Sequence, residues 1–233
     1  MVLVARTRAR LDEVAAAMSG LPGRGIVEAL DATDPEAVLA MAERVNRDLG
    51  TPDLVVNCAG AGRWRFVEET APGEAVAMMG APYFAAFNVT RAFMTGMLAC
   101  RRGQIIHIDS AASIVPWPGA TGYTAARWAL RGLHEALCQD LRGTRVRSCR
   151  VVFAEVSSQY FVHNPGSHER VPAIARTIPV TSPERCAQVI LRVVGSRRKL
   201  VVHPFMLRFY RWLHLVAPGP VRWLVALTGW KRR

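Results

Sequence analysis

The chain has 233 residues, of which 51% are hydrophobic, a composition that suits one globular domain with a sizeable core. Its five cysteines show neither CxxC nor Cys/His spacing, which excludes a disulfide framework and a metal cluster and favours reduced core thiols of a cytoplasmic protein. The net charge of +12 is concentrated at one end and interleaved with Trp, Phe and Leu, which favours an anionic membrane surface over nucleic acid.

The N-terminal half alternates apolar runs with helical patterns. Residues 2–4 predict a buried strand, and an amphipathic helical pattern follows it. A helix is predicted over 35–49, because Thr33 or Asp34 before Pro35 is favoured at a helix start and Gly50 at a helix end. Residues 54–57 predict a fully buried strand.

The C-terminal half continues this alternation. Between its elements, segment 159–182 is rich in His, Pro and Ser and is predicted to be a mobile substrate lid. We interpret His163 and His168 in this segment as loop residues, because no catalytic partner is identifiable. Strands are predicted at 105–108, 146–153 and 200–203, and helices from Tyr123 onward and over 183–195.

The tail, residues 203–233, differs from the rest of the chain. Residues 185–233 contain eleven basic residues and no acidic one. Arg208, Arg211 and His214 recur every third residue among aromatic and aliphatic side chains. Because neither half of the tail reaches the ~20 apolar residues that span a bilayer, we predict an amphipathic helix on a membrane surface. The alternative is a lid or a dimer face packed on the body.

Three polar side chains are predicted to meet in one pocket. Ser110 follows the strand at 105–108, at the edge where open α/β sheets place their ligands. Tyr123 and Arg127 share a helix face, and a serine, a tyrosine and a cation can polarise a carbonyl group and protonate its oxygen. The pattern resembles the short-chain dehydrogenase/reductase family, whose signature is Ser, then Tyr thirteen residues on, then Lys four residues after that. Ser110 and Tyr123 keep this spacing, and Arg127 stands at the lysine position.

The resemblance extends from residue 1 to about residue 200. It implies a single doubly wound, Rossmann-like α/β domain with a mainly parallel sheet over 1–202, followed by the amphipathic helical tail over 203–233. It also implies NADP(H)-dependent interconversion of a hydrophobic alcohol and its ketone or aldehyde, in a homo-oligomer with no metal and no nucleic-acid partner. Tyr123 would be the general acid and base, Ser110 would orient the carbonyl oxygen, and Arg127 would hold the cofactor ribose and lower the tyrosine pKa.

The resemblance further assigns cofactor contacts. In the family, a basic residue after the second strand binds the 2′-phosphate of NADP, and Arg6 fits this position, with Arg8 assisting. The alternative is that both arginines are solvated at a helix start. Asp31 corresponds to an adenine contact, although its segment also caps a helix. The other expected contacts lie at a turn beside the cofactor and at the nicotinamide amide: Asn57, Ala59, Gly60 and Ser158.

Three departures from the family pattern bear on activity. The family's first strand and glycine-rich phosphate turn have no counterpart in the sequence, and we expect the natural protein to contain them upstream of Met1. The catalytic Asn of the family falls on Pro82 and not on Asn88. Arg127 cannot relay protons as a lysine can. A catalytically impaired binding or scaffold protein, peripheral at membranes, is therefore the alternative to an enzyme.

Overall fold

Six strands occur in the computed structural model, which describes residues 1–232. The four-residue strands are each dominated by aliphatic residues, as parallel strands covered by helices require, whereas the two seven-residue strands also contain polar and charged residues. Their bounds are β1 Val2–Ala5, β2 Ile26–Ala29, β3 Leu54–Asn57, β4 Gln104–Ser110, β5 Arg147–Phe153 and β6 Leu200–His203.

Nine α-helices are found in the same described residues, and most of them connect successive strands. The helix α2 shows how local sequence sets the bounds, because the Asp34 carboxylate accepts hydrogen bonds from the backbone N–H groups of Glu36 and Ala37, and Gly50 ends the helix with φ 83°. The helices are α1 Arg8–Ala17, α2 Pro35–Leu49, α3 Pro72–Met79, α4 Ala85–Ala99, α5 Thr121–Asp140, α6 Tyr160–His163, α7 Pro183–Leu191, α8 Phe205–Val216 and α9 Pro218–Thr228.

The strands form two parallel sheets. β1 pairs with β2, and the other four strands are ordered β3-β4-β5-β6. Within residues 1–232, no strand pairs with the second edge of β1 or of β3. The prediction of a fully buried strand at 54–57 is wrong in part: only Val55 is buried and Val56 is exposed, because β3 is an edge strand of its sheet within residues 1–232.

Helices pack on both faces of the four-stranded sheet. Neighbouring residues of a strand point to opposite faces, so Ile105 and Ile106 of β4 enter different cores. Ile105 packs with Met41 of α2 and Met97 of α4, whereas Ile106 packs with Val189 of α7. This arrangement confirms the doubly wound, Rossmann-like α/β fold with a mainly parallel sheet.

A π-helical turn, Gly80–Phe84, joins α3 to α4. Pro82 is buried within this turn, where the backbone N–H of Ala85 donates to the Gly80 carbonyl. A wider turn accommodates a residue that has no N–H, so the run continues past the proline with a local kink.

The tail packs on the body of the domain. Leu207 of α8 is buried against Ile114 and Val152, and Val221 of α9 is buried as well. The Tyr210 and Thr177 hydroxyls lie 2.8 Å apart. Further on, the Arg232 guanidinium binds the Glu68 carboxylate at 3.1 Å. Across residues 1–232, no helix combines the length and the apolar character needed to cross a bilayer.

Two sequence predictions about exposure are wrong in part. Of the basic residues that recur every third position on the predicted amphipathic helix, Arg208 is exposed, whereas Arg211 and His214 are half-buried because α8 packs on the body. All five cysteines are free thiols, but Cys58 and Cys100 are exposed and do not lie in the core, because each follows the end of a strand or helix.

Candidate active site

A cavity of about 530 Å³ opens at the carboxyl ends of β4 and β5. Its walls include Ser110 at the end of β4 and both Tyr123 and Arg127 in the first two turns of α5. Gly60, after β3, and Ser158, after β5, line the same cavity. The structure therefore brings together five of the residues singled out from the sequence, at the sheet edge where α/β proteins bind ligands.

Ser110 is held by its neighbours in the chain. Its backbone N–H donates to Asp109 Oδ1 at 2.8 Å, and its carbonyl accepts from Ser113 Oγ at 2.8 Å. Its Oγ accepts from the backbone N–H of Ala112 at 3.3 Å, which leaves the hydroxyl proton for another acceptor. The hydroxyl thus faces the cavity from a fixed backbone.

Tyr123 is buried in a cluster of aromatic side chains. Its ring lies 5.5 Å from that of Trp64, 6.1 Å from that of Tyr160 and 6.4 Å from that of Trp117. Phe161 extends the cluster, with its ring 5.7 Å from Trp64. The sequence analysis missed these aromatic residues, because they come from three segments that only the fold brings together.

Tyr160 ties the segment 159–182 to the loop after β3. Its hydroxyl donates to the Gly62 carbonyl at 2.8 Å and accepts from Trp64 Nε1 at 3.1 Å. The backbone N–H of Trp64 donates to Ser167 Oγ at 3.1 Å. Burial raises the pKa of Tyr160 above its usual range, and the nearby Tyr123 acts in the same direction, so this phenol stays protonated.

Arg127 is buried beneath Tyr123. Its Nη1 donates to the Ile108 carbonyl at 3.1 Å and lies 4.0 Å from Asp109 Oδ1. The guanidinium carbon is 5.2 Å from the centre of the Tyr123 ring, close enough for a cation–π interaction. Burial alone would lower the pKa of Arg127, but Tyr123 and Asp109 outweigh burial and raise it. This position holds a permanent positive charge.

Gly60 makes room for this cation. A Cβ atom at position 60 would collide with Nη2 of Arg127, so any larger residue there would displace the guanidinium. Cys58 and Gly60 line the adjoining wall of the cavity, and Ala59 between them is exposed without lining it. The cation therefore lies between the tyrosine and an open backbone turn.

Arg150 is the partner of Asp109, and the sequence analysis missed it. Arg150 Nη1 lies 2.8 Å from Asp109 Oδ2 and donates to Ser113 Oγ at 2.8 Å, and both charged residues are buried. A signal was present, because Asp109 and Arg150 each interrupt an apolar strand, and a charge inside a buried strand needs a partner. Asp109 thus supports Ser110 while it faces two arginines.

Two buried histidines lie below the site. His107 of β4 and His134 of α5 have ring centres 6.0 Å apart, and His134 Nδ1 is 2.8 Å from Ser148 Oγ. Burial lowers the pKa of His107 to about 3, with His134 and Arg150 adding to the shift, and burial lowers that of His134 to about 4. Both rings are therefore neutral at pH 7.

Comparison with known proteins agrees with this geometry. The family model described as short chain dehydrogenase matches residues 1–164. The chain belongs to this family. Its curated relatives and solved structural neighbours include reductases and dehydrogenases, and the chain is an oxidoreductase of the short-chain dehydrogenase/reductase type.

Individual relatives of this dehydrogenase support the same conclusion. The 3-oxoacyl-[acyl-carrier-protein] reductase FabG of Thermotoga maritima is 27% identical over 203 residues, which cover 84% of this chain and 80% of that protein. A metagenomic short-chain oxidoreductase in complex with NADP is 28% identical, with a TM-score of 0.71, over 86% of this chain and 83% of the other. A Burkholderia phymatum short-chain dehydrogenase/reductase in complex with NAD has a TM-score of 0.77 over 95% and 85% of the two chains at 20% identity, which shows the shared fold. Matches to four curated relatives span 49% to 80% of their lengths.

The residues expected to bind the adenine side of a cofactor lie outside the cavity. Arg6 and Asp31 are exposed just beyond the carboxyl ends of the paired strands β1 and β2. The pKa of Asp31 is lowered, mainly by hydrogen bonds from the Thr33 backbone N–H and hydroxyl and to a smaller extent by Arg6. These two side chains therefore occupy one exposed corner of the dehydrogenase.

Asn57 and Asn88 both have structural partners. Asn57 Nδ2 donates to Thr90 Oγ1 at 3.1 Å and lies 3.3 Å from His107 Nδ1, which ties β3 to α4 and β4. Asn88 donates to the carbonyls of Ala32 and Thr33, each at 3.1 Å. Neither asparagine lines the cavity, and nor does Ala59, so within the turn 57–60 only Cys58 and Gly60 reach it.

Proposed function

We propose that this dehydrogenase interconverts a hydrophobic alcohol and its ketone or aldehyde with NADP(H). The observation that carries the proposal is that Ser110, Tyr123 and Arg127 line one cavity. The rest of that cavity is largely apolar and includes Trp64, Trp117 and aliphatic residues of the tail helices. A hydrophobic substrate with a single carbonyl group matches such a wall, because burying further polar groups there would leave them unpaired.

The residues present fit a dinucleotide that carries a 2′-phosphate. Arg6 is an exposed cation whose charge reaches Asp31 across the ends of β1 and β2, which is where a phosphate beside the adenine ribose would be neutralised. The open backbone at Ala59 and Gly60 offers a wall without large side chains between that corner and the cavity. Ser158 would meet the nicotinamide amide, and Arg127 Nη2 beside Gly60 would face the ribose.

When bound, the nicotinamide cofactor supplies or accepts the hydride. In the direction of reduction, the Ser110 hydroxyl donates a hydrogen bond to the substrate carbonyl oxygen, and the Tyr123 hydroxyl gives that oxygen its proton. The Arg127 guanidinium, 5.2 Å from the Tyr123 ring, stabilises the tyrosinate that remains. Because a guanidinium does not release a proton, Tyr123 is reprotonated from water and not from Arg127.

A second candidate function is binding or scaffolding without turnover. Arg127 and Pro82 replace the lysine and the asparagine that form the family's proton relay, and Pro82 is buried in its π-helical turn with no side-chain amide to offer. A protein of this kind would bind NADPH and leave the carbonyl unreduced. The two functions therefore differ in turnover and not in cofactor affinity.

The test measures NADPH oxidation with a panel of hydrophobic ketones and aldehydes, together with NADPH binding by calorimetry. We expect wild type to turn over at least one carbonyl compound, and Tyr123→Phe to lose about 10²–10⁴-fold in rate while it still binds NADPH. Tyr83→Phe is the matched control, because Tyr83 lies in the turn Gly80–Phe84, outside the cavity. If wild type binds NADPH but matches Tyr123→Phe across the panel, the scaffold function replaces the enzyme.

A further inference from the structure

The tail helices α8 and α9 expose a face of large apolar side chains. On α8 these residues recur every three or four positions, which places them on one side of the helix. Trp212 is 56% exposed and Trp223 of α9 is 65% exposed, values far above those of core aromatic residues. We call this the tail face, and its members are Phe205, Phe209, Trp212, Leu215, Val216, Trp223 and Leu227.

The charge around the tail face has one sign. Arg208 and Arg222 are exposed on the same two helices, and Arg208 lies over the Phe205 ring at 5.0 Å. Lys231, just beyond α9, is exposed as well. Because the sequence contains no acidic residue after Glu184, nothing on these helices offsets the cations. Tryptophans beside cations, without carboxylates, are the composition of a helix surface that lies at the boundary between lipid headgroups and acyl chains.

The opposite side of the same helices forms part of the cavity wall. Leu207, Tyr210 and Leu213 of α8 line the cavity that holds Tyr123, and so do Val221 and Leu224 of α9. Two helices that each have an apolar inner side and an apolar outer side separate the active-site cavity from the surroundings. A lipid-soluble substrate would then travel only the thickness of a helix layer between a bilayer and the cavity.

We propose that the tail face docks the protein on an anionic lipid surface. The Trp and Phe side chains enter the headgroup region, and Arg208, Arg222 and Lys231 pair with lipid phosphates. Docking does not depend on the proposed function, because it involves only the outer side of α8 and α9. Failure of catalysis would therefore leave it untouched.

The experiment measures co-sedimentation of the full chain with vesicles of phosphatidylcholine containing about 30% phosphatidylglycerol, an anionic surface. We expect binding that weakens at about 0.5 M salt, because salt screens exposed charges. Trp212→Ser with Trp223→Ser should weaken binding at least about tenfold, and Arg208→Glu with Arg222→Glu by a similar factor. Substitutions suit this test better than deletion of the helices, because deletion would also open the cavity.

Two matched pairs of variants control for lost apolar surface and for reversed charge. Val76→Ser with Leu191→Ser removes two side chains that are each 70% exposed elsewhere, and Arg10→Glu with Arg145→Glu reverses two exposed charges outside the tail. Both control variants should bind the vesicles as wild type does. Equal loss of binding in the controls, equal binding to pure phosphatidylcholine, or a lipid-free dimer that dissociates on Trp212→Ser would overturn the proposal.

Discussion

At the carboxyl end of β4, Asp109, Arg127 and Arg150 are buried and face one another, whereas Arg6 and Asp31 stand exposed at the ends of β1 and β2. This difference in burial matches the function proposed for each region, which is proton transfer at β4 and phosphate binding at β1 and β2. A group that transfers a proton needs a fixed charge beside it before the substrate arrives, and that charge acts most strongly where water is excluded. A phosphate is already charged when it binds, so an arginine that recognises it can be exposed to solvent in the free protein.

The largest expected effect is on stability, at the buried charges. Arg150→Met should lower the free energy of unfolding by about 3–5 kcal/mol, because it removes the 2.8 Å partner of the buried Asp109 carboxylate. Urea denaturation followed by circular dichroism measures the loss. The matched variant Arg47→Met breaks an exposed ion pair with Asp48 and should cost less than about 1 kcal/mol. Equal losses in the two variants would remove the distinction between buried and exposed charges.

The next largest effect is on the rate, at Arg127. Arg127→Met should reduce carbonyl reduction by about a hundredfold to a thousandfold, equivalent to about 3–4 kcal/mol, because the tyrosinate would lose its cation. Arg127→Lys should keep measurable activity, since it keeps the positive charge. Steady-state kinetics on the wild type and both variants measure these rates, with thermal melts to confirm folding. Activity in Arg127→Met at the wild-type level would show that Tyr123 needs no cation.

A double variant sharpens this prediction. Arg127→Lys with Pro82→Asn restores both members of the family's proton relay, and the two positions should be coupled if the relay works only when complete. We expect a gain in rate larger than the product of the two single effects, measured as a double-mutant cycle. Multiplicative effects of the two single changes would show that they are independent.

The exposed region should show a smaller effect, on cofactor choice. Arg6→Asp should weaken NADPH binding by about 1.5–3 kcal/mol and leave NADH binding almost unchanged, because only NADPH carries the 2′-phosphate that a charged hydrogen bond would recognise. Fluorescence titration with both cofactors measures the difference. Arg10→Asp, at another exposed position on α1, is the matched control. Equal affinities for the two cofactors before and after Arg6→Asp would exclude the assignment.

The smallest effect, counted per unit of pH, concerns the buried histidine His107. The folded-state pKa of His107 is about 3, below the ~6.5 of an unfolded chain, so below about pH 6.5 only the unfolded state binds this proton. As the pH falls from about 6 to about 4, His107 should therefore lower the free energy of unfolding by about 1.4 kcal/mol per pH unit. His107→Gln should reduce the slope of unfolding free energy against pH. His163→Gln replaces an exposed histidine and should leave the slope as in wild type.

Sequence reasoning correctly predicted the features that depend on residues close together in the chain. The bounds of α2 and β3 agree with the predicted 35–49 and 54–57, because Asp34, Gly50 and a short apolar run act within a few residues of themselves. The family signature placed Ser110, Tyr123 and Arg127 in one pocket, because strand ends and helix turns have fixed geometry.

The features that sequence reasoning missed depend on packing between residues far apart in the chain. The Asp109–Arg150 pair joins positions 41 residues apart, and no local pattern names the partner. Which side of α8 faces the body depends on Ile114 and Val152, so the placement of Arg211 and His214 could not follow from a three-residue spacing. The tail was predicted as a surface helix or a lid, and the structure shows it as a wall of the cavity, with one side still exposed.

The hydrogen bonds between the segment 159–182 and the loop after β3 set an equilibrium between a closed and an open form of the protein. Tyr160 and Ser167 make three hydrogen bonds to Gly62 and Trp64 directly over Tyr123. If each bond contributes about 1 kcal/mol, opening costs about 3 kcal/mol, and about one molecule in 150 is open at any moment. A substrate that enters past this segment meets an open protein in fewer than about 1% of encounters. A product that leaves by the same route requires the same opening. Loosening Tyr160 would then raise the open fraction through which both substrate and product pass.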